Sequence, residues 1–110
     1  MLKITILAFA FLTSFAHAER TGVVMGIGQS SCGEYVAWRT GGNQVSVIQA
    51  TDWTFGFISA YNLYGSKSQI ENPPTYATVG LYLEKYCRDY PLRTLTGGVL
   101  SLINELRDKR

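Results

Sequence analysis

The residues of this chain that could do chemistry are few and scattered. Its only histidine is His17, near the N-terminus. A chain that loses that residue on export has no imidazole, the commonest general base near neutral pH and the commonest metal ligand. Hydrolysis would then have to run on carboxylates such as Glu34, Asp52, Glu84 and Asp89, or on serines. A glycosidase needs two facing carboxylates about 5 to 9 Å apart, and no spacing here singles out such a pair. No Asp-x-Asp-x-Asp-Gly loop marks a cation site. The Gly26-x-Gly28 turn has Ser31 where a dinucleotide fingerprint needs glycine, and no strand, helix, strand unit fits around it. The residues therefore point away from an enzyme, and neither a metal nor another cofactor is expected.

The remaining reactive pair is Cys32 and Cys87, whose separation is not the Cys-x-x-Cys of a redox centre. Their environment follows from the first eighteen residues, MLKITILAFAFLTSFAHA. Lys3 begins a short basic start, an apolar run extends from Ile4 to Phe15, and the small residues Ala16 and Ala18 flank His17. That layout predicts a secretory signal peptide at 1–18, cut before Glu19. The run is shorter than the roughly 20 residues that cross a bilayer. Cys32 lies well downstream, behind Gln29, Ser30 and Ser31, so it is not placed for lipidation. The expected product is periplasmic or secreted, without stable membrane insertion. An oxidising compartment favours a Cys32–Cys87 bridge. In the chain-entropy model, closing a loop of roughly 55 residues contributes about 4 kcal/mol, comparable to the whole stability of many small domains.

Charge narrows the partners. Ten Lys and Arg stand against eight Asp and Glu, and Lys3 belongs to the leader. This near balance offers no basic face for nucleic acid.

The elements that must position these residues read as helices around one core. Residues 19–30, glycine-punctuated and apolar at Val23, Val24, Met25 and Ile27, form an N-terminal arm, extended against the domain or loose. Ser31 with Glu34 is a capping-box pattern, opening a helix from about Cys32 to Thr40 that Gly41 and Gly42 stop. Thr75 caps another, with Tyr76, Val79, Leu83, Tyr86 and Tyr90 on one stripe and Cys87 beside it. Pro91 ends it. Leu95, Val99, Leu102 and Leu106 form the stripe of a last helix. The expected fold is an all-α bundle of three to five helices over residues 31–110, with one disulfide.

Between the first two of these runs DWTFGFISAYN, Asp52 to Asn62. Trp53, Phe55 and Phe57 alternate as a strand would, whereas Trp53, Phe57, Ala60, Tyr61 and Tyr64 recur as a helix would. The apolar pattern continues unbroken from Val45 to Tyr64, far beyond the usual strand of about 5 or 6 residues. A long central helix is therefore expected, with Trp53, Phe57 and, from the next helix, Tyr86 in the core. Gly56 and Ala60, one turn apart, are expected to admit another backbone, since a helical glycine costs about 1 kcal/mol relative to alanine. Beyond the helix, GSKSQIENPP is a polar loop. Tyr61, Tyr64, Lys67, Gln69 and Glu71 are the candidate partner-binding residues around it.

In order, CGEYVAWR, DWTFGFISAYN and VGLYLEKYCRDYPL resemble small exported bacterial proteins of unassigned function. These share a cysteine, a WxxGFxSxYN-like block and a YCxxxP block, here Cys32, Trp53, Gly56, Phe57, Ser59, Tyr61, Asn62, Tyr86, Cys87 and Pro91. More distantly, the arrangement is similar to two periplasmic groups. One is the Rap/Tai immunity proteins of type VI secretion, helical disulfide proteins that block a rival's cell-wall amidase. The other is the HdeA-type acid-stress chaperones, also helical with one disulfide. Both resemblances imply an all-α periplasmic binder, and neither brings a catalytic residue. The chain departs from an acid chaperone in being only 16% charged. The expected partner is another protein, as an immunity or inhibitor protein would have; an acid-stress holdase and, further off, a cell-wall hydrolase are the alternatives, and self-association as a homodimer is left open.

Overall fold

Local signals set the helix boundaries. In the computed structural model, which describes residues 22–65 and 69–108, Ser31 and Glu34 close both halves of the capping box. The Glu34 N–H donates to Ser31 Oγ at 3.1 Å and the Ser31 N–H to Glu34 Oε2 at 2.9 Å. Helix α1 (Cys32–Gly41) ends on Gly42, whose φ of 74° is the left-handed stop that glycine adopts without strain. Asn43 then caps α2 (Gln44–Tyr64), and Thr75 caps α3 (Tyr76–Asp89). Helix α4 (Leu95–Asp108) follows a short turn through Pro91. The fold is all-α: among the described residues there are four α-helices and one 3-10 turn, and none of the helices is long and apolar enough to cross a membrane. The leader at 1–18 and Lys67 lie outside the described residues.

Helix α3 packs on α1 and α4, and α2 lies against all three. Cys32, in the first turn of α1, is bridged to Cys87, in the last turn of α3, with Cα atoms 4.6 Å apart. Near the same end, the Cys32 N–H donates to the Arg93 carbonyl at 2.8 Å and the Leu95 N–H to the Ser30 carbonyl at 2.9 Å. These bonds tie the starts of α1 and α4 together. Tyr35, Val79, Leu83, Leu95 and Val99 are wholly inaccessible at the centre. Tyr86 is buried against α4, where a Cβ on Gly98 would come within 3.0 Å of its ring.

The aromatic helix differs from its expected face. Its buried line is Ala50, Thr51, Thr54 and Ile58, a narrow strip of mostly small residues. The two threonine hydroxyls are satisfied by donating to the carbonyls of Val47 and Ala50. At about 100° per residue, positions two apart fall on opposite flanks. Trp53 and Phe57 therefore share one side, ring centroids 5.2 Å apart, while Phe55 packs on Tyr76 from the other at 5.1 Å. Trp53 and Phe57 are half-buried flanking residues, and Ala60 and Tyr64 face outward. Gly56 is exposed, and beyond its own stretch of helix backbone no described atom lies within 4 Å of where its Cβ would be. The expected Gly56–Ala60 contact face meets no other helix among the described residues. Stripe ends also shift: Tyr76 and Tyr90 are exposed, Leu106 is half-buried, and Gly80, Gly98 and Ile103 are buried instead.

The close approach expected at Gly56 occurs at Gly28. The segment before α1 contains a 3-10 turn, Gly26–Gln29, that docks on α2 and α4. A Cβ on Gly28 would sit 2.2 Å from Trp53 Cζ2, so only glycine lets the indole lie over this backbone. Trp53 Nε1 donates to the Met25 carbonyl at 2.9 Å, and Thr96 Oγ1 to the Gly28 carbonyl at 2.6 Å.

Candidate functional site

The short Gly42–Asn43 turn folds α2 back beside α1, and the start of α3 closes the third side of a cleft of about 420 Å³. Trp38, Val47, Ile48 and Tyr76 line its walls, with Arg39 and Gly80 among the residues beneath. Two of the walls are held from behind. The Trp38 ring meets Tyr35 edge-on, centroids 6.3 Å apart at 77°. Tyr76 leans on Phe55 and donates its hydroxyl to the Asp52 carboxylate, a bond that raises the phenol's pKa above its ordinary value. Ile48 is 52% exposed at the rim.

Arg39 is the charged residue among those lining the cleft. Its Nε donates to Glu84 Oε1 at 3.1 Å, and its Nη1 lies 2.7 Å from where a Gly80 Cβ would be. The missing side chain at Gly80 is what lets the guanidinium lie against α3. Its two terminal nitrogens have no hydrogen-bond acceptor among the described residues. Glu84 also accepts from Arg88 Nε at 3.5 Å. The hydrogen bond from Arg39, then the charges of both arginines, hold its carboxyl below the usual carboxylate range despite the opposing effect of desolvation. Chemically, the cleft offers apolar walls to a side chain and a two-pronged donor to an anion.

The four carboxylates considered for acid–base chemistry each have a structural engagement. Glu34 completes the helix cap, Asp52 accepts from Tyr76, Glu84 bridges two arginines, and Asp89 pairs with Lys85 at 2.8 Å. A smaller depression between α3 and α4, about 260 Å³, is lined by Tyr82, Tyr86 and Tyr90. Its Tyr82 hydroxyl bonds Ser101 at 2.6 Å, and Arg93 covers the Tyr90 ring at 4.1 Å. Its rings are therefore largely engaged by neighbours.

The candidate partner-binding residues lie elsewhere. Tyr61 is half-buried, Tyr64 is 87% exposed, and Gln69 and Glu71 are exposed. The polar loop is anchored by Asn62, whose Nδ2 donates to the Ile70 carbonyl at 3.0 Å while its Oδ1 accepts the Ile70 N–H at 2.8 Å. Ile70 is buried there, leaving Leu63 and Tyr64 projecting at the end of α2. Tyr64 is sixteen positions from Ile48 in α2, roughly 24 Å along the axis. The expected contact group and the cleft are thus separate surfaces. The sequence signal for the cleft is Gly80, a helical glycine whose cost points to close packing, as the open position Gly56 does not.

Searches against family models, curated proteins and solved structures find no match to this chain.

Proposed function

We propose that this protein acts in the bacterial cell envelope by binding another protein, as an immunity or inhibitor protein of the Rap/Tai type does. The observation that carries the reading is the cleft between α1, α2 and α3. A domain this small has few large side chains to spare from its core, yet Trp38, Ile48 and Tyr76 remain accessible around one concave site. Aromatic anchors at a preformed cavity are what protein interfaces concentrate. The leader pattern and the Cys32–Cys87 staple suit a binder that works in an oxidising compartment.

The test is capture from envelope extract under oxidising conditions, using wild type, Ile48→Asp in the cleft and Lys67→Glu in the loop. Ile48 is half-exposed, so the fold tolerates its replacement. A specific partner recovered by wild type and lost with Ile48→Asp is expected. No partner under any condition, or equal capture by all three, overturns the reading; loss with Lys67→Glu alone moves the interface to the loop.

The alternative, an acid-stress holdase, draws support from Glu84, whose ionised carboxylate joins Arg39 of α1 to α3. It predicts suppression of client aggregation below about pH 3, where carboxylates are protonated. A chain that protects no client at that pH eliminates it.

A further inference from the structure

We infer that the cleft receives the C-terminal residue of a partner polypeptide, its side chain between Trp38 and Ile48 and its α-carboxylate on Arg39. The inference rests on the reading of the protein as a protein binder and gives that partner a chemistry. Three features carry it: the sign of the charge in the cleft, the free donors on that charge, and the size of the space.

The charge lining the cleft is the Arg39 guanidinium, and its two terminal nitrogens have no acceptor among the described residues. Such a fork matches the two oxygens of a carboxylate. The nearby carboxylates are already occupied, Glu84 by Arg39 Nε and Arg88, and Asp52 by the Tyr76 hydroxyl. Glu84 holds the fork and Gly80 makes room for it, because a Cβ there would meet Nη1 at 2.7 Å.

Size then selects the end of a chain over its middle. About 420 Å³ is near the lower bound of small-ligand pockets, roughly 300 to 1,000 Å³. One residue that brings an apolar group and a carboxylate together fits that space. In an extended segment, neighbouring side chains point to opposite faces, so an acidic residue beside an apolar one would turn its carboxylate away. A C-terminal residue carries both groups on a single Cα.

The experiment is a titration of the ¹⁵N-labelled chain, purified with its disulfide formed, followed by amide and indole signals. N-acetyl-L-leucine is compared with N-acetyl-L-leucinamide, which keeps the side chain and lacks the charge. The acid should saturably shift the Trp38 indole, Gly42 and Gly80 signals at millimolar concentration. The amide should bind roughly tenfold more weakly, the effect of one charge-assisted pair. Arg39→Gln should abolish the difference, whereas Glu84→Gln, which leaves the cation in place, should retain it. Gly80→Ala should reduce it, because Nη1 must shift to admit the new Cβ, and thermal melts identify any variant that fails to fold.

Equal binding of acid and amide by wild type, shifts mapping outside the cleft, or preference for the acid surviving Arg39→Gln would each overturn the inference. So would absence of any shift at about 50 mM, far above the millimolar affinity expected of one residue. In any of those cases a partner still captured by wild type and lost with Ile48→Asp leaves protein binding standing and removes only the C-terminal mode.

Discussion

Tyr35 is wholly buried, and its hydroxyl has no hydrogen-bond partner among the described residues. Burial pushes its pKa up, partly countered by the charge of Arg39. An unsatisfied buried hydroxyl costs about 1 to 3 kcal/mol, so Tyr35→Phe should raise stability by about 1 kcal/mol in urea denaturation. A fall in stability would mean that the hydroxyl is engaged after all. Two glycines make the same kind of argument with opposite signs. Gly56→Ala, at an open helical position, should stabilise by about 0.5 to 1 kcal/mol, while Gly28→Ala, under the Trp53 indole, should cost about 1 to 3 kcal/mol. Gly28→Ala should also shift tryptophan emission to the red as the segment lifts from the ring. The sequence shows that a glycine interrupts a helix or follows a turn. Whether a ring or open solvent faces it depends on residues such as Trp53, 25 positions from Gly28, and is set only when the helices pack.

Helix ends were legible because caps are local. Ser31 with Glu34, Thr75 and Gly42 act within a turn of themselves, and α1 begins and ends, and α3 begins, close to where those residues place them. The buried face of α2 was not legible, because its rings sit on both flanks of a small-residue strip and so carry two periodicities at once. The cleft was equally hidden, being assembled from α1, α2 and α3 with no motif of its own. At this scale the most consequential contact is Glu84, one turn from Gly80, taking Arg39 of α1 and Arg88 of its own helix. Its carboxyl has a lower pKa folded than unfolded. It therefore contributes stability that is fully present above the unfolded value, near 4.3, and is lost as pH falls through the folded one. Glu84→Gln should lower stability at pH 6 and converge with wild type as pH falls below about 4. Because the pair is partly exposed, the effect should be modest and should shrink in high salt. Urea midpoints across that range provide the check, and a constant difference at every pH would assign the loss to packing.

Over the whole molecule, α1 and α3 run antiparallel, with α1 tied at both of its ends. The Cys32–Cys87 bridge joins the start of α1 to the end of α3, and Arg39 with Glu84 joins the end of α1 to the middle of α3. The cleft lies at the second tie, so the disulfide constrains the frame without touching the site. Two cysteines and an expected oxidising compartment suffice to pair Cys32 with Cys87 from the sequence, since count leaves one pairing. Closing 55 residues should contribute about 4 kcal/mol through the unfolded chain. Cys32→Ser should therefore lose up to about 4 kcal/mol against the oxidised wild type. It should lie close to wild type once reductant is present, because both chains then unfold to an open ensemble. Cleft geometry should outlast that loss: in conditions where the variant remains folded, its Trp38 indole signal should match wild type, since Tyr35, edge-on to that ring from the same helix, positions it locally. Equal urea midpoints for the oxidised wild type and the variant would remove the staple from the account of stability. A displaced Trp38 signal in the folded variant would instead show that the bridge reaches the cleft through α1, making oxidation a condition of binding as well as of folding.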